Sequence, residues 1–100
     1  MKMTIQDDRN GSSLTVKVGG RLDTTTAPEL DTHLASALDG VKDLVFDFSD
    51  LEYISSAGLR VLLATVKRMN KQGTMVVKNA NEIVKEVFDV TGFMDILNVQ

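Results

Sequence analysis

The stretch Phe46-Asp47-Phe48-Ser49-Asp50-Leu51-Glu52-Tyr53-Ile54-Ser55-Ser56-Ala57-Gly58-Leu59-Arg60-Val61-Leu62-Leu63 changes its hydrophobic period halfway along. Its start completes a nearly continuous apolar run, Leu44, Val45, Phe46 and Phe48, which predicts a strand over 44–48 buried on both faces. Its end begins the stripe Leu59, Leu62, Leu63, Val66 and Met69, spaced for one face of a helix. The residues between read as a short loop ending in Ser55-Ser56-Ala57-Gly58. Ser55 is the expected N-cap, its side chain accepting from a first-turn N–H. Ser56 is then the first helical residue and points outward. A helix start carries unpaired N–H groups and the positive end of the dipole, so it suits an anion or a phosphate.

Outward from this stretch, both directions continue the strand and helix alternation. Toward the N-terminus, Met3 and Ile5, then Leu14, Val16 and Val18, alternate with polar residues on either side of the turn-forming run 8–13. They predict a β-hairpin turning at Asn10-Gly11, with Gly19-Gly20 as a bend or bulge. Thr24–Glu29 reads as a helix start: Thr26 and Glu29 have capping-box spacing and Pro28 falls in the first turn. Leu30, Leu34, Ala37, Leu38 and Val41 follow at helical intervals, and Gly40 closes them. Toward the C-terminus, Thr74–Lys78 predicts a strand and Asn79–Glu82 the start of a third helix. The inner face of that helix is expected from Ile83, Val84, Val87, Phe88 and Thr91, with Gly92 as C-cap. Phe93, Ile96, Leu97 and Val99 form a tail expected to pack back. The order is β-β-α-β-α-β-α, an α/β fold with a mixed sheet and helices on at least one face, in one domain over 1–100. In such sheets, sites gather beyond the carboxyl ends of parallel strands, where the Ile54-Ser55-Ser56 loop falls.

Composition removes several function classes. A net charge of −3 lacks the basic footprint of a nucleic-acid binder. The chain has no cysteine, which rules out disulfides, thiolate metal sites and a cysteine nucleophile. No apolar run nears the ~20 residues of a membrane span, and the polar start is unlike a secretory signal. A cytoplasmic protein without membrane insertion is expected. The one histidine, His33, lies inside the first helix beside polar Thr32, away from the leucine stripe, and reads as a solvated residue. One histidine without cysteine assembles no nitrogen–sulfur metal cluster. Ser56 lacks the Gly-x-Ser-x-Gly elbow, and no Gly-rich phosphate loop or Walker lysine occurs. Asp23, Asp47 and Asp50 stand at strand ends, where an acid–base pair is one reading and turn capping the favoured one. Arg60, Lys67 and Lys71 form the solvated side of their helix, or a docking row for an acidic partner. No catalytic residue, metal or cofactor is assigned.

For the serines the residues leave two readings: helix caps only, or a phosphorylation switch. A phosphoserine brings about −1.5 to −2 charges, which a helix start tolerates while an acidic or close-packed partner does not. Four segments then resemble the STAS family, and within it the bacterial anti-sigma factor antagonists. Gly20-Arg21-Leu22-Asp23-Thr24-Thr25-Thr26-Ala27 resembles its Gly-x-Leu-Asp-x-x-Thr-Ala segment, and Phe46–Ile54 its strand and lead-in. Ser55-Ser56-Ala57-Gly58-Leu59 resembles its Asp-Ser-Ser/Thr-Gly-Leu core, and Phe88–Phe93 its closing helix and loop. The resemblance implies a non-enzymatic partner switch. The unmodified protein binds an anti-sigma factor that is also a serine kinase, phosphate on Ser56 breaks the complex, and a phosphatase restores it. It implies a partner surface of Asp23, Thr24, Ile54, Ser55, Ser56, Ala57, Gly58 and Arg60. Ser55 stands where the family has Asp, and so supplies a second acceptor hydroxyl. Ala57 stands where it has a hydroxyl residue. The alternative within the family is a module of a transporter or lipid-trafficking complex that is not phosphorylated.

Overall fold

The alternation at the start of the chain folds as a hairpin. In the computed structural model, which describes residues 3–100, β1 (Thr4–Asn10) runs antiparallel to β2 (Ser13–Leu22), with Asn10 opposite Ser13. The turn therefore centres on Gly11-Ser12, one residue beyond the expected Asn10-Gly11. Gly11 has φ +63° and Ser12 a negative φ, the sign pattern of a type II′ turn, whose first position favours glycine. Gly19-Gly20 is a bulge and not a break. Gly20 has φ +82°, β2 runs on to Leu22, and its register against a neighbour slips between Gly20 and Arg21.

The remaining elements are α1 (Ala27–Ala37), β3 (Asp43–Asp47), β4 (Leu51–Ile54), α2 (Ser56–Met69), β5 (Thr74–Lys78) and α3 (Glu82–Thr91), then a 3₁₀ turn at Phe93–Asp95. The sheet is mixed, in order β1-β2-β3-β5, with β4 pairing β2 off this path. The β2–β3, β2–β4 and β3–β5 pairs are parallel. The α/β class and the mixed sheet are as expected, but the order gains a strand, β4, where the sequence reads as loop. Pairing of β2 with β3 stops at Lys17–Asp47, and β4 takes up Gly20–Leu22 beyond it. Only Leu51 and Ile54 of β4 are buried, and they stand three positions apart, so the strand shows no period of two.

Burial also corrects β3. Leu44 and Phe46 are buried, whereas Val45 and Asp47 are only half-buried. The run is apolar throughout because Val45 lies in a row with Thr15 and Val76 on the less covered face. The core lies on the other face, where Leu30 and Leu34 of α1 and Leu59 and Leu62 of α2 meet Leu14, Val16, Phe46 and Val77. Phe46 and Phe48 stack at a tilt, 5.6 Å between centroids.

Three end expectations resolve differently. The Thr26–Glu29 capping box does not form: Thr26 is the N-cap residue but makes no side-chain cap bond. Its hydroxyl instead accepts from the Asp23 N–H and donates to the Arg21 carbonyl, both at 2.8 Å. In α3, Val84 and Phe88 are buried and Val87 half-buried, but Ile83 and Thr91 face outward. Asn81 is its true cap, accepting from the Val84 N–H at 2.8 Å while donating to the Leu51 carbonyl of β4. Gly92 ends α3 at φ +80°, as expected. The tail packs back through Leu97 and a parallel bridge from Val99 to Val77, while Ile96 stays exposed.

Candidate functional site

Two helix starts and two strand ends meet at one edge of the sheet. Leu22 ends β2 and Ile54 ends β4, its parallel neighbour, and the Ser55 N–H donates to the Leu22 carbonyl at 2.8 Å. This bond fixes where α2 begins. Gly58 lets the first turn of α2 settle onto both strands, since a Cβ there would lie 2.7 Å from Leu22 Cγ and 2.8 Å from Ile54 Cγ1. Ile54 and Gly58 are both buried. Both seat the loop on the two strand ends.

The two serines part company. Ser55 has extended backbone (φ −102°, ψ 177°) and its carbonyl accepts from the Leu59 N–H, so it is the cap by position. Its hydroxyl makes no cap bond, however. Ser55 Oγ is buried without a hydrogen-bond partner, against the expectation of a side-chain cap. Ser56 is exposed and is the first residue of α2. The N–H groups of Ser56, Ala57 and Gly58 have no acceptor within the helix, and they leave partial positive charge around the Ser56 side chain.

Asp23 organises the neighbouring loop. Its Oδ1 accepts from the Thr25 hydroxyl at 2.7 Å, the Thr25 N–H at 3.0 Å and the Thr26 N–H at 3.2 Å. The Thr25 hydroxyl most of all, with these N–H groups, holds the Asp23 carboxyl below its usual value despite some desolvation. Arg21 Nε lies 3.8 Å from Asp23 Oδ2, and the Arg21 guanidinium covers the Tyr53 ring at 4.6 Å. Asp23 is therefore a turn anchor that sets Thr24 outward. Asp47 plays the same part beyond β3, accepting from the Ser49 N–H and the Asn79 amide, and Asp50 pairs with Lys17 at 3.2 Å. The three carboxylates serve separate turns and ion pairs, as the capping reading expects.

Thr24, Ala57 and Arg60 line a shallow cleft of about 260 Å³ between the starts of α1 and α2, with Ala27, Pro28, Asp31 and Val61. Arg60 is exposed and makes no ion pair among the described residues, and it follows Ser56 by one helical turn. The expected partner surface includes Thr24, Ala57 and Arg60 of this lining but not Pro28 or Asp31. Only the α1 stripe hints at them, because both lie beside its buried Ala27 and Leu30. His33, expected in solvent, is half-buried and lies 2.8 Å from Asp7 of β1, away from the cleft residues. Among the described residues no group of three or more His, Cys, Asp or Glu is placed to hold a metal, and no helix is long and apolar enough to cross a membrane.

Comparison with known proteins locates this arrangement in a family. The family model for the STAS domain matches residues 4–100. A candidate anti-sigma factor antagonist, BtrV of Bordetella bronchiseptica, is 37% identical over 99% of this chain and 85% of its own length. The anti-sigma-B factor antagonist of Bacillus subtilis is 30% identical over 99% of this chain and 92% of its own. The crystal structure of an anti-sigma factor antagonist from Mycobacterium paratuberculosis superposes with a TM-score of 0.89 at 25% identity, over 98% of this chain and 85% of that one.

Proposed function

The chain belongs to the STAS domain family, and from that premise we propose that it is an anti-sigma factor antagonist switched by phosphate on Ser56. The unmodified form binds an anti-sigma factor that is also a serine kinase, and so frees a sigma factor. The kinase supplies the chemistry, and this chain supplies an acceptor hydroxyl and a docking surface, with no catalytic residue of its own. A phosphoserine phosphatase resets it, in the cytoplasm.

The observation that carries the reading is the contrast at the start of α2: Ser56 exposed, Ser55 Oγ buried. A kinase must bring the acceptor oxygen to the γ-phosphate in line, which an enclosed hydroxyl does not permit. Ser56 is thus the acceptor, and Ser55 is reached only if the loop opens. A dianionic phosphate on Ser56 meets the free first-turn N–H groups and Arg60, so the modified domain keeps its fold. Its added charge and bulk stand on the rim formed by Thr24, Ala57 and Arg60, where they obstruct a closely packed partner.

The test is incubation with ATP and a purified kinase of the anti-sigma type from the same organism, followed by mapping of the phosphate by mass spectrometry. Incorporation is expected at Ser56 and lost in Ser56→Ala. Ser56→Asp is expected to weaken binding to that kinase by at least about tenfold, the effect of roughly 1.4 kcal/mol. Phosphate confined to Ser55, or a Ser56→Asp protein that binds as tightly as the parent, overturns the switch.

A further inference from the structure

The four large apolar side chains that stand exposed among the described residues all lie in one segment: Ile83, Val90, Met94 and Ile96, exposed by 58%, 75%, 41% and 45%. Single exposed apolar residues are ordinary on a protein surface, but a contiguous group is not. On α3, Ile83, Val87 and Val90 have i, i+4, i+7 spacing and form one ridge. Val84 and Phe88 face the core, so the apolar arc of α3 is wider than the core covers. Glu82, Glu86 and Asp89 repeat the same spacing one residue earlier and form an acidic ridge beside the apolar one. Among the described residues none of the three is in an ion pair.

Charge narrows what covers this face. Residues 82–96 carry Glu82, Glu86, Asp89 and Asp95 against Lys85, a net of −3, which equals the net charge of the whole chain. The rest of the molecule is balanced. A second copy would set one acidic ridge against another, and an anionic membrane surface would repel it. We propose that the outer face of α3 is a second docking surface, separate from the cleft at Ser56, and that its occupant is an amphipathic helix of a partner protein. The apolar side of that helix covers Ile83, Val87 and Val90, and its lysines or arginines flank the Glu82–Glu86–Asp89 ridge. This is the helix-on-helix mode in which apolar anchors give affinity and a charged edge gives orientation and register.

The test uses the full chain, labelled with ¹⁵N, and two synthetic peptides of about 18 residues, long enough for marginal helix formation. Both carry leucine on one face; one is flanked by lysine, the other by glutamate. The lysine peptide is expected to bind with amide shifts centred on Ile83–Ile96, and more weakly as salt rises. The glutamate peptide is expected to bind at least about tenfold more weakly, as like-charge apposition requires. Val90→Glu, a change at an exposed site, is expected to keep the parent's circular dichroism spectrum and to abolish lysine-peptide binding, while Ser56→Asp leaves it unchanged. Equal binding of the two peptides, no binding of either, or shifts confined to the Ser56 cleft overturns the proposal. So does self-association that Val90→Glu dissolves, which would make the occupant a second copy, or binding of the unmodified chain to anionic vesicles.

Discussion

At Ser55 a polar atom has lost water and gained nothing. The Oγ is buried without a partner, although the residue occupies the N-cap of α2. Removing a working N-cap costs about 1 kcal/mol, whereas removing a buried unsatisfied hydroxyl relieves a desolvation penalty of about 1–3 kcal/mol. Ser55→Ala is therefore expected to be neutral or to stabilise by up to about 1 kcal/mol, read from the urea midpoint at unchanged slope. A loss near 1 kcal/mol would show that the hydroxyl caps after all. Asp47 is the contrasting case. Burial raises its carboxyl, but the Ser49 N–H, the Asn79 amide and the charge of Lys17 together bring it below the ordinary value. It also steadies Asn79, the one described non-glycine residue at positive φ, +65°. Asp47→Ala is expected to cost about 1–2 kcal/mol at neutral pH. A lowered folded pKa means that this stabilisation is complete above the unfolded value of about 3.9 and fades as pH falls through the folded one. The gap between parent and variant should stay constant from neutral pH to about pH 5 and close below about pH 4. A gap that widened with acid would reverse the assignment.

Two glycines hold elements together at very different clearances. At Gly73, between α2 and β5, a Cβ would lie 1.7 Å from the Lys42 carbonyl oxygen and 2.5 Å from its carbon. The same carbonyl accepts from the Thr74 N–H at 2.7 Å, so β5 is tied to the chain just before β3 at the point where there is no room. Backbone cannot step aside as a side chain can, and Gly73→Ala is expected to lose at least about 3 kcal/mol, more than ordinary overpacking. At Gly58 the obstacles are the side chains of Leu22 and Ile54, both in the core. Alanine gains about 1 kcal/mol of helix propensity there and loses about 1–3 kcal/mol to overpacking, so Gly58→Ala is expected to destabilise by about 1 kcal/mol. Thermal melts of the pair should rank Gly73→Ala well below Gly58→Ala, and the reverse order would contradict both contacts. The α2 stripe and Gly92 were legible because long periodicity and a helix-ending glycine are local signals. β4 was not: its strand character comes from the β2 end that the Gly20 bulge leaves open to it, a contact some 30 residues away in sequence. Ile83 misled for a related reason, since apolar spacing marks a face without saying what covers it.

Across the whole molecule the two candidate surfaces lie on different elements. Thr24, Ala57 and Arg60 belong to the α1–α2 side, while the acidic and apolar ridges belong to α3, which packs on β4. Of the candidate site, the sequence revealed Ser56 and its helix start, because strand, small-residue loop and helix follow one another directly. It did not reveal the cleft, which exists only once α1 is laid beside α2 by the parallel crossovers. Nor did it separate the roles of Ile54 and Gly58 from those of Thr24 and Arg60, because burial is decided by packing. This division makes a prediction about the fold as a whole. Charge added at Ser56 lies at the positive end of α2, with Arg60 one turn on, so it is compensated where it is placed. Such a charge contributes about 0.3–1 kcal/mol in favour of the folded state. For a domain of this size that is a rise in melting temperature of a few degrees, about 2–6 °C. Ser56→Asp, and Ser56 phosphorylated by kinase, should therefore melt at or slightly above the parent in low salt, with the gain shrinking as salt screens it. Amide shifts should be confined to the starts of α1 and α2 and absent from α3. A fall of several degrees, or shifts spreading through β4 into α3, would mean that the phosphate acts by loosening the domain and not by occupying its surface.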